Sequence, residues 1–131
     1  MAKSKVKSKE TAVPETKTTA PPRLQPVGIP VQSMKGVLVP TWQPAVNAEH
    51  WFYNQGQNVT WLCVANDGDT AVTLTFTTSP DVEIPPVDVR AQTVAHIGPF
   101  PARHYNDLLN RVWFTLSQAD DVRLAVERLG V

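Results

Sequence analysis

Val59-Thr60-Trp61-Leu62-Cys63-Val64-Ala65, then Asn66-Asp67-Gly68-Asp69, then Ala71-Val72-Thr73-Leu74-Thr75-Phe76-Thr77 is the stretch that decides the fold class. The first segment is apolar at nearly every position, as a strand buried on both faces must be. The second carries turn chemistry, because Asp-Gly reaches positive φ at little cost. In the third, Val72, Leu74 and Phe76 share one face and three threonines the other, the pattern of a half-exposed strand. Two strands around a short polar turn predict a hairpin.

The same reading extends toward the C-terminus. Prolines 80, 85 and 86 mark a loop. Val87 to Ile97 predicts one strand, with Val94 in the core. Arg111-Val112-Trp113-Phe114-Thr115-Leu116 predicts another, and residues 104–110 one helical turn. In Val122-Arg123-Leu124-Ala125-Val126-Glu127-Arg128, Val122, Leu124 and Val126 point inward while Arg123 and Glu127 point outward. About six strands at this spacing, with turn signals between them, belong to an all-β fold. We expect a small antiparallel β-sandwich, immunoglobulin-like or jelly-roll-like, over residues 58–131. Its expected core is Trp61, Cys63, Val72, Leu74, Phe76, Phe114, Leu124 and Val126.

The N-terminal part reads differently. All ten aromatics of the 131-residue chain lie from Trp42 onward. Residues 1–22 alternate Lys, Ser, Thr, Glu, Ala and Pro, a composition that cannot offset the entropy of ordering, so we expect a disordered basic tail. Residues 23–57 are expected to form an extended Pro-rich arm. Pro26, Pro30, Pro40 and Pro44 exclude a helix and bias their predecessors to extended backbone. Gly36 to Val39 could add a short edge strand. The arm is too apolar to float in water. Leu24, Val27, Ile29, Val31, Val37, Leu38, Trp42 and Trp51 are its candidate contacts with a neighbouring chain or with its own sandwich, and a sandwich lacking residues 1–57 is expected to fold alone. Residues 1–23 carry six basic and two acidic residues, and the rest six basic and ten acidic. A basic arm on an acidic body can bind an acidic surface or another copy of the body, whereas the acidic body disfavours nucleic acid.

Little along the chain points to chemistry. His50, His96 and His104 show no metal-ligand spacing and Cys63 has no second cysteine, so no metal site, disulfide or cofactor is expected. Cys63 reads as a buried, inert thiol. Asp67-x-Asp69 lacks the downstream Glu of a calcium loop. There is no phosphate-cradling glycine loop and no nucleophile elbow, and no run of residues is long and apolar enough to cross a membrane. These readings predict a protein that is not an enzyme.

Ile97-Gly98-Pro99-Phe100-Pro101, Tyr105-Asn106, Val112-Trp113-Phe114 and the closing Val122–Val126 strand form a recognisable series. With the threonine-rich strand after a glycine turn, it resembles small capsid decoration and accessory head proteins of tailed bacteriophages over roughly residues 59–126. The resemblance implies a structural virion protein on the capsid surface, present in the host cytoplasm during assembly. Its partners would be the major capsid protein and further copies of itself, a trimer favoured, with the N-terminal arm and its candidate contact residues making the capsid or inter-subunit contacts. Gly98, Pro99, Phe100, Pro101 and Tyr105 are the candidate corner residues: Phe100 can plug the end of the sandwich and Tyr105 can hydrogen-bond back across it. The alternative is a carbohydrate- or ligand-binding sandwich of a phage surface or tail protein, in which the aromatics near Trp51 would be exposed.

Overall fold

The computed structural model of the chain describes residues 25–34, 40–55, 60–78 and 83–129. The expected disordered tail, Leu24, and the Gly36–Val39 edge strand with Val37 and Leu38 lie outside the described residues. Ten strands are described: β1 (Val27–Gly28), β2 (Val31–Met34), β3 (Gln43–Pro44), β4 (His50–Tyr53), β5 (Thr60–Asn66), β6 (Val72–Phe76), β7 (Val87–Val89), β8 (Thr93–Ile97), β9 (Arg111–Leu116) and β10 (Val122–Leu129). One helical turn, α1 (Ala102–Tyr105), precedes β9.

The strands form the two packed layers of a β-sandwich. The first sheet runs β1-β4-β9-β6-β7; the second runs β2-β10-β5-β8, with β3 also paired to β10. Pairing is antiparallel except for β1 with β4 and β2 with β10, which are parallel. Between the layers lie Phe52, Leu62, Val64, Val72, Leu74, Val112, Phe114, Leu124 and Val126, all fully buried. They alternate along their strands with outward residues, the geometry that lets two sheets share one core.

The deciding stretch gives two strands where expected, but they do not pair. β5 lies in the second sheet between β8 and β10, whereas β6 lies in the first between β7 and β9. The connection is an arch between layers. Asn66 builds it: its Oδ1 accepts from the Gly68 amide at 3.0 Å, while its Nδ2 donates to the carbonyls of Thr70 (2.8 Å) and Val89 (3.0 Å). An Asx turn bends the chain as Asp-Gly chemistry suggests, but both edges of β5 are taken by other strands. A strand buried on both faces, with both edges paired, has no place for its sequence neighbour.

A second arch divides the segment expected as a single strand. β7 pairs with β6 and β8 with β5, so the chain changes sheet at Arg90-Ala91-Gln92, where Gln92 has φ 58°. The Gln92 side chain donates to the carbonyls of Asp67 and Gly68, tying the two arches together. The break also sets register. Ala95 and Ile97 pack on the core and Val94 is 49% exposed, so the expectation that Val94 is core was one residue out of phase, which in a strand exchanges the faces. Trp61 likewise lies outward and half-buried, because Leu62 and Val64 take the inward positions of β5.

The described residues of the segment expected as an arm, 25–34 and 40–55, are not laid over a finished sandwich. β1 and β4 belong to the first sheet and β2 and β3 to the second, with Tyr53 to His50 in register with Arg111 to Phe114. Ile29 and Phe52 are core, and His50 is fully buried with its ring stacked on Phe114 at 5.4 Å. Burial lowers the His50 pKa against a smaller opposing effect of the Ala48 backbone, favouring a neutral imidazole whose Nε2 accepts from the Val46 amide. Among the described residues of the segment, Ile29 and Phe52 find cover in their own domain.

Deleting residues 1–57 is therefore expected to abolish cooperative unfolding, because it removes four strands and exposes Phe114; circular dichroism and denaturant melts check this. In the full chain, Leu74→Ala should cost about 2–5 kcal/mol through lost transfer energy and a residual cavity. A loss below about 1 kcal/mol in the same melts, under the usual range for such truncations, would contradict the assigned face of β6.

Candidate functional site

With the inner faces spent on the core, chemistry and contact fall to the outer faces and the loops. The corner expected from sequence is present. Phe100 is buried among Phe52, Phe76 and Tyr105, with ring centroids 5.1–5.6 Å away. Gly98 has φ 131°, and a Cβ there would stand 2.9 Å from that of Trp61, so both conformation and space call for glycine. Pro99 and Pro101 are exposed beside it. Tyr105 contributes its ring, and the polar latch comes from a pair that sequence reading missed. Asn54 Nδ2 donates to the Phe100 carbonyl (3.0 Å) and to Asn106 Oδ1 (2.8 Å), and Asn106 Nδ2 returns a bond to the Asn54 carbonyl (2.8 Å). These asparagines are 52 residues apart, which hides them from any local pattern.

Just beyond the corner, Asp107 organises a tight turn. Its Oδ1 accepts from the amides of Leu109 and Arg111, and its Oδ2 from Arg111 Nε and the Trp113 indole, each at 2.8 Å. Burial alone would raise the Asp107 pKa. The indole, the two amides and the guanidinium outweigh it and hold the carboxyl at about 2. Asn110 closes the turn at φ 62°. The turn presents Leu108, 100% exposed, and Leu109, 61% exposed, to solvent.

Next to this turn, the outer face of the first sheet carries a row of aromatics. Arg111 lies between Trp51 and Trp113, its guanidinium carbon 5.4 and 4.9 Å from the ring centroids. Tyr53, 46% exposed, meets Trp51 edge-on at 5.0 Å. Trp51 also covers β1, and a Cβ on Gly28 would come within 2.7 Å of its ring. A cleft of about 520 Å³ opens beside Trp51 and Tyr53, with Pro30, Val31 and Arg128 among its walls. Among the described residues the Arg128 Nε is buried there without a hydrogen-bond partner.

The other candidate contacts scatter. Val27 is half-buried in β1, Ile29 is core, Val31 packs on the core, and Trp42 stacks on Arg123 at 5.0 Å. Arg123 in turn makes a two-pronged ion pair with Asp67. Of the expected arm contacts among the described residues, Trp51 alone joins the outer aromatic row.

The second sheet has its own outward cluster. Cys63, His96 and Glu127 come from three adjacent strands, β5, β8 and β10, with their donor atoms within 4.8 Å of one another. Cys63 is directly opposite His96 in the β5–β8 register. The Cys63 thiol donates to Glu127 Oε1 at 3.4 Å, and both residues are buried. Spacing along the chain could not reveal this group, because cross-strand register alone unites it. No helix of the described residues is long and apolar enough to cross a membrane.

Compared with models of known protein families, with curated proteins and with solved structures, the chain matches none.

The Asp107 turn yields a stability test. A carboxyl held at about 2, below its ordinary 3.8, adds stability that is present above pH 4 and lost as pH falls toward 2. Asp107→Ala should cost about 1–3 kcal/mol at neutral pH, from unpaired donors and a loosened turn. It should also flatten the acid limb of the stability curve between pH 4 and pH 2. Urea melts of both proteins across that range check both effects.

Proposed function

We propose that this protein is a non-catalytic attachment module that decorates the outer surface of a phage capsid, docking through the Leu108–Leu109 turn and the adjoining Trp51, Tyr53, Arg111 and Trp113. The single observation carrying the reading is that turn: two leucines held out in water by a fully satisfied Asp107, beside aromatic and arginine side chains. Scattered exposed apolar residues are ordinary, but a rigid apolar knob beside Trp, Tyr and Arg has the composition of an interface hot spot. The phage capsid as partner rests on the corner and strand series that resembles decoration proteins. The proposal keeps the association of several copies, a trimer favoured, on the shell, and assigns the protein to the virion surface. It moves the principal contact from residues 23–57 to the loop after the corner, because the described part of that segment is used inside the sandwich.

The carbohydrate-binding alternative draws on the same aromatic row. Sugar stacking needs open ring faces, and here the Arg111 guanidinium lies over both Trp51 and Trp113, leaving Tyr53 as the most accessible ring. The geometry therefore favours a protein surface over a glycan.

Co-sedimentation of the full chain with undecorated shells tests the proposal. Leu108→Asp combined with Leu109→Asp should leave the thermal melt unchanged, since neither leucine is buried, and weaken shell binding at least tenfold. Wild-type co-sedimentation by this variant would overturn the docking site. Failure of the unaltered protein to bind any shell, with retention on a glycan array that Tyr53→Ala abolishes, would overturn the attachment reading itself.

A further inference from the structure

We propose that Cys63, His96 and Glu127 form a binding site for a single zinc-like divalent cation on the outer face of the second sheet. The three side chains supply a sulfur, a nitrogen and an oxygen, the donor set a borderline-soft ion such as Zn²⁺ takes. They project from β5, β8 and β10, so a hydrogen-bonded sheet fixes their spacing. Tetrahedral zinc with ordinary bond lengths sets its donors roughly 3.3–3.7 Å apart. Cys63 Sγ and Glu127 Oε1 already stand 3.4 Å apart, and all three donor atoms lie within 4.8 Å. The His96 imidazole is exposed and supplies the third donor from the neighbouring strand.

Two further observations point to a ligand here. Glu127 is buried on an outward face, and among the described residues its recorded side-chain partner is the Cys63 thiol; the recorded ion pairs are Arg111–Asp107 and Arg123–Asp67. A buried carboxylate whose side-chain partner is the weak S–H donor of a thiol keeps acceptor capacity that a cation can take up. A cleft of about 440 Å³ lined by Trp61, His96, Gly98 and Glu127 adjoins two of the three donors, giving the ion a route in.

Without a cation, burial and then the Glu127 carboxylate push the Cys63 thiol up to about 12, so the sulfur is protonated at neutral pH. On binding, the Cys63 S–H bond breaks, the proton leaves to solvent, and its electron pair forms the sulfur–metal bond.

The test uses tag-free full-length protein titrated with Co²⁺ and then Zn²⁺. The expected result is one equivalent bound, a sulfur-to-cobalt charge-transfer band, tetrahedral visible bands that Zn²⁺ displaces, and a higher melting temperature with Zn²⁺. His96→Asn, at an exposed position that folding does not depend on, should lower Zn²⁺ affinity roughly 100-fold, at the upper end of what even outer partners of a ligand contribute. Cys63→Ala should abolish the charge-transfer band. Cobalt binding without that band, unchanged affinity in His96→Asn, or no saturable binding by the wild-type protein would each overturn the site.

Discussion

Four phenylalanines drawn from four separate stretches of chain tie the strands of the first sheet to one another and to the corner. Phe114 of β9 lies near Phe52 of β4 (6.1 Å) and Phe76 of β6 (6.4 Å), and Phe100 of the corner touches both of those. β9 pairs with β4 on one edge and β6 on the other, so the aromatic contacts and the backbone ladder bind the same segments. Each ring removes a large apolar area from water. The N-terminal strands, the central strands and the corner therefore form one cooperative unit, and the first sheet cannot close without the residues before Asn54. This dependence turns a segment that reads as an appendage into a structural half of the sandwich.

The chain satisfies that dependence by crossing between layers at most of its connections. β1 leads to β2, β4 to β5, β5 to β6, β7 to β8 and β9 to β10, each time changing sheet. This explains what was legible in the sequence and what was not. Strand existence is a property of local alternation, so β5, β6, β9 and β10 could be read directly, as could most inward positions of β6 and β10. Partnership is not local. Asn66-Asp67-Gly68-Asp69 codes for a bend, but whether a bend makes a hairpin or an arch depends on what occupies the strand edges. β1 and β3 are two residues each and lie among prolines, too short for any period to show. The error at Val94 has the same origin, since the arch at Gln92 resets the phase of a strand that otherwise looks continuous.

The site residues follow the same rule. Phe100 and Gly98 were readable because their constraints are local: an apolar ring among turn residues and a glycine before proline. Asn54 with Asn106, and Cys63 with His96 and Glu127, were not: the asparagines meet where the end of β4 reaches the loop after α1, and the second set is assembled by register between strands remote in sequence. Cys63 was correctly read as buried. Burial and the neighbouring Glu127 push its thiol up to about 12, in keeping with the inert reading; what local sequence could not show is that the residue packed against it is a glutamate.

The two outer faces differ in a way that stability alone does not require. On the first sheet, Thr73 and Thr75 alternate with core residues as a solvated face should, yet one end of the same face collects Trp51, Tyr53, Arg111 and Trp113. Asp107 ties Arg111 and Trp113 to the loop, so the aromatic row and the Leu108–Leu109 turn share one anchor. Polar residues at positions 108 and 109 would leave every hydrogen bond of the turn intact, because those bonds come from backbone amides and from Asp107, Arg111 and Trp113. The leucines therefore add nothing to the turn itself, and neither packs on the core. What a pair of exposed leucines on a hydrogen-bonded turn does add is apolar area whose backbone is already ordered, and that lowers the cost of association with a partner surface. The proposed contact residues thus stand on a turn anchored by Asp107 and on strands β4 and β9, whose other faces carry the core.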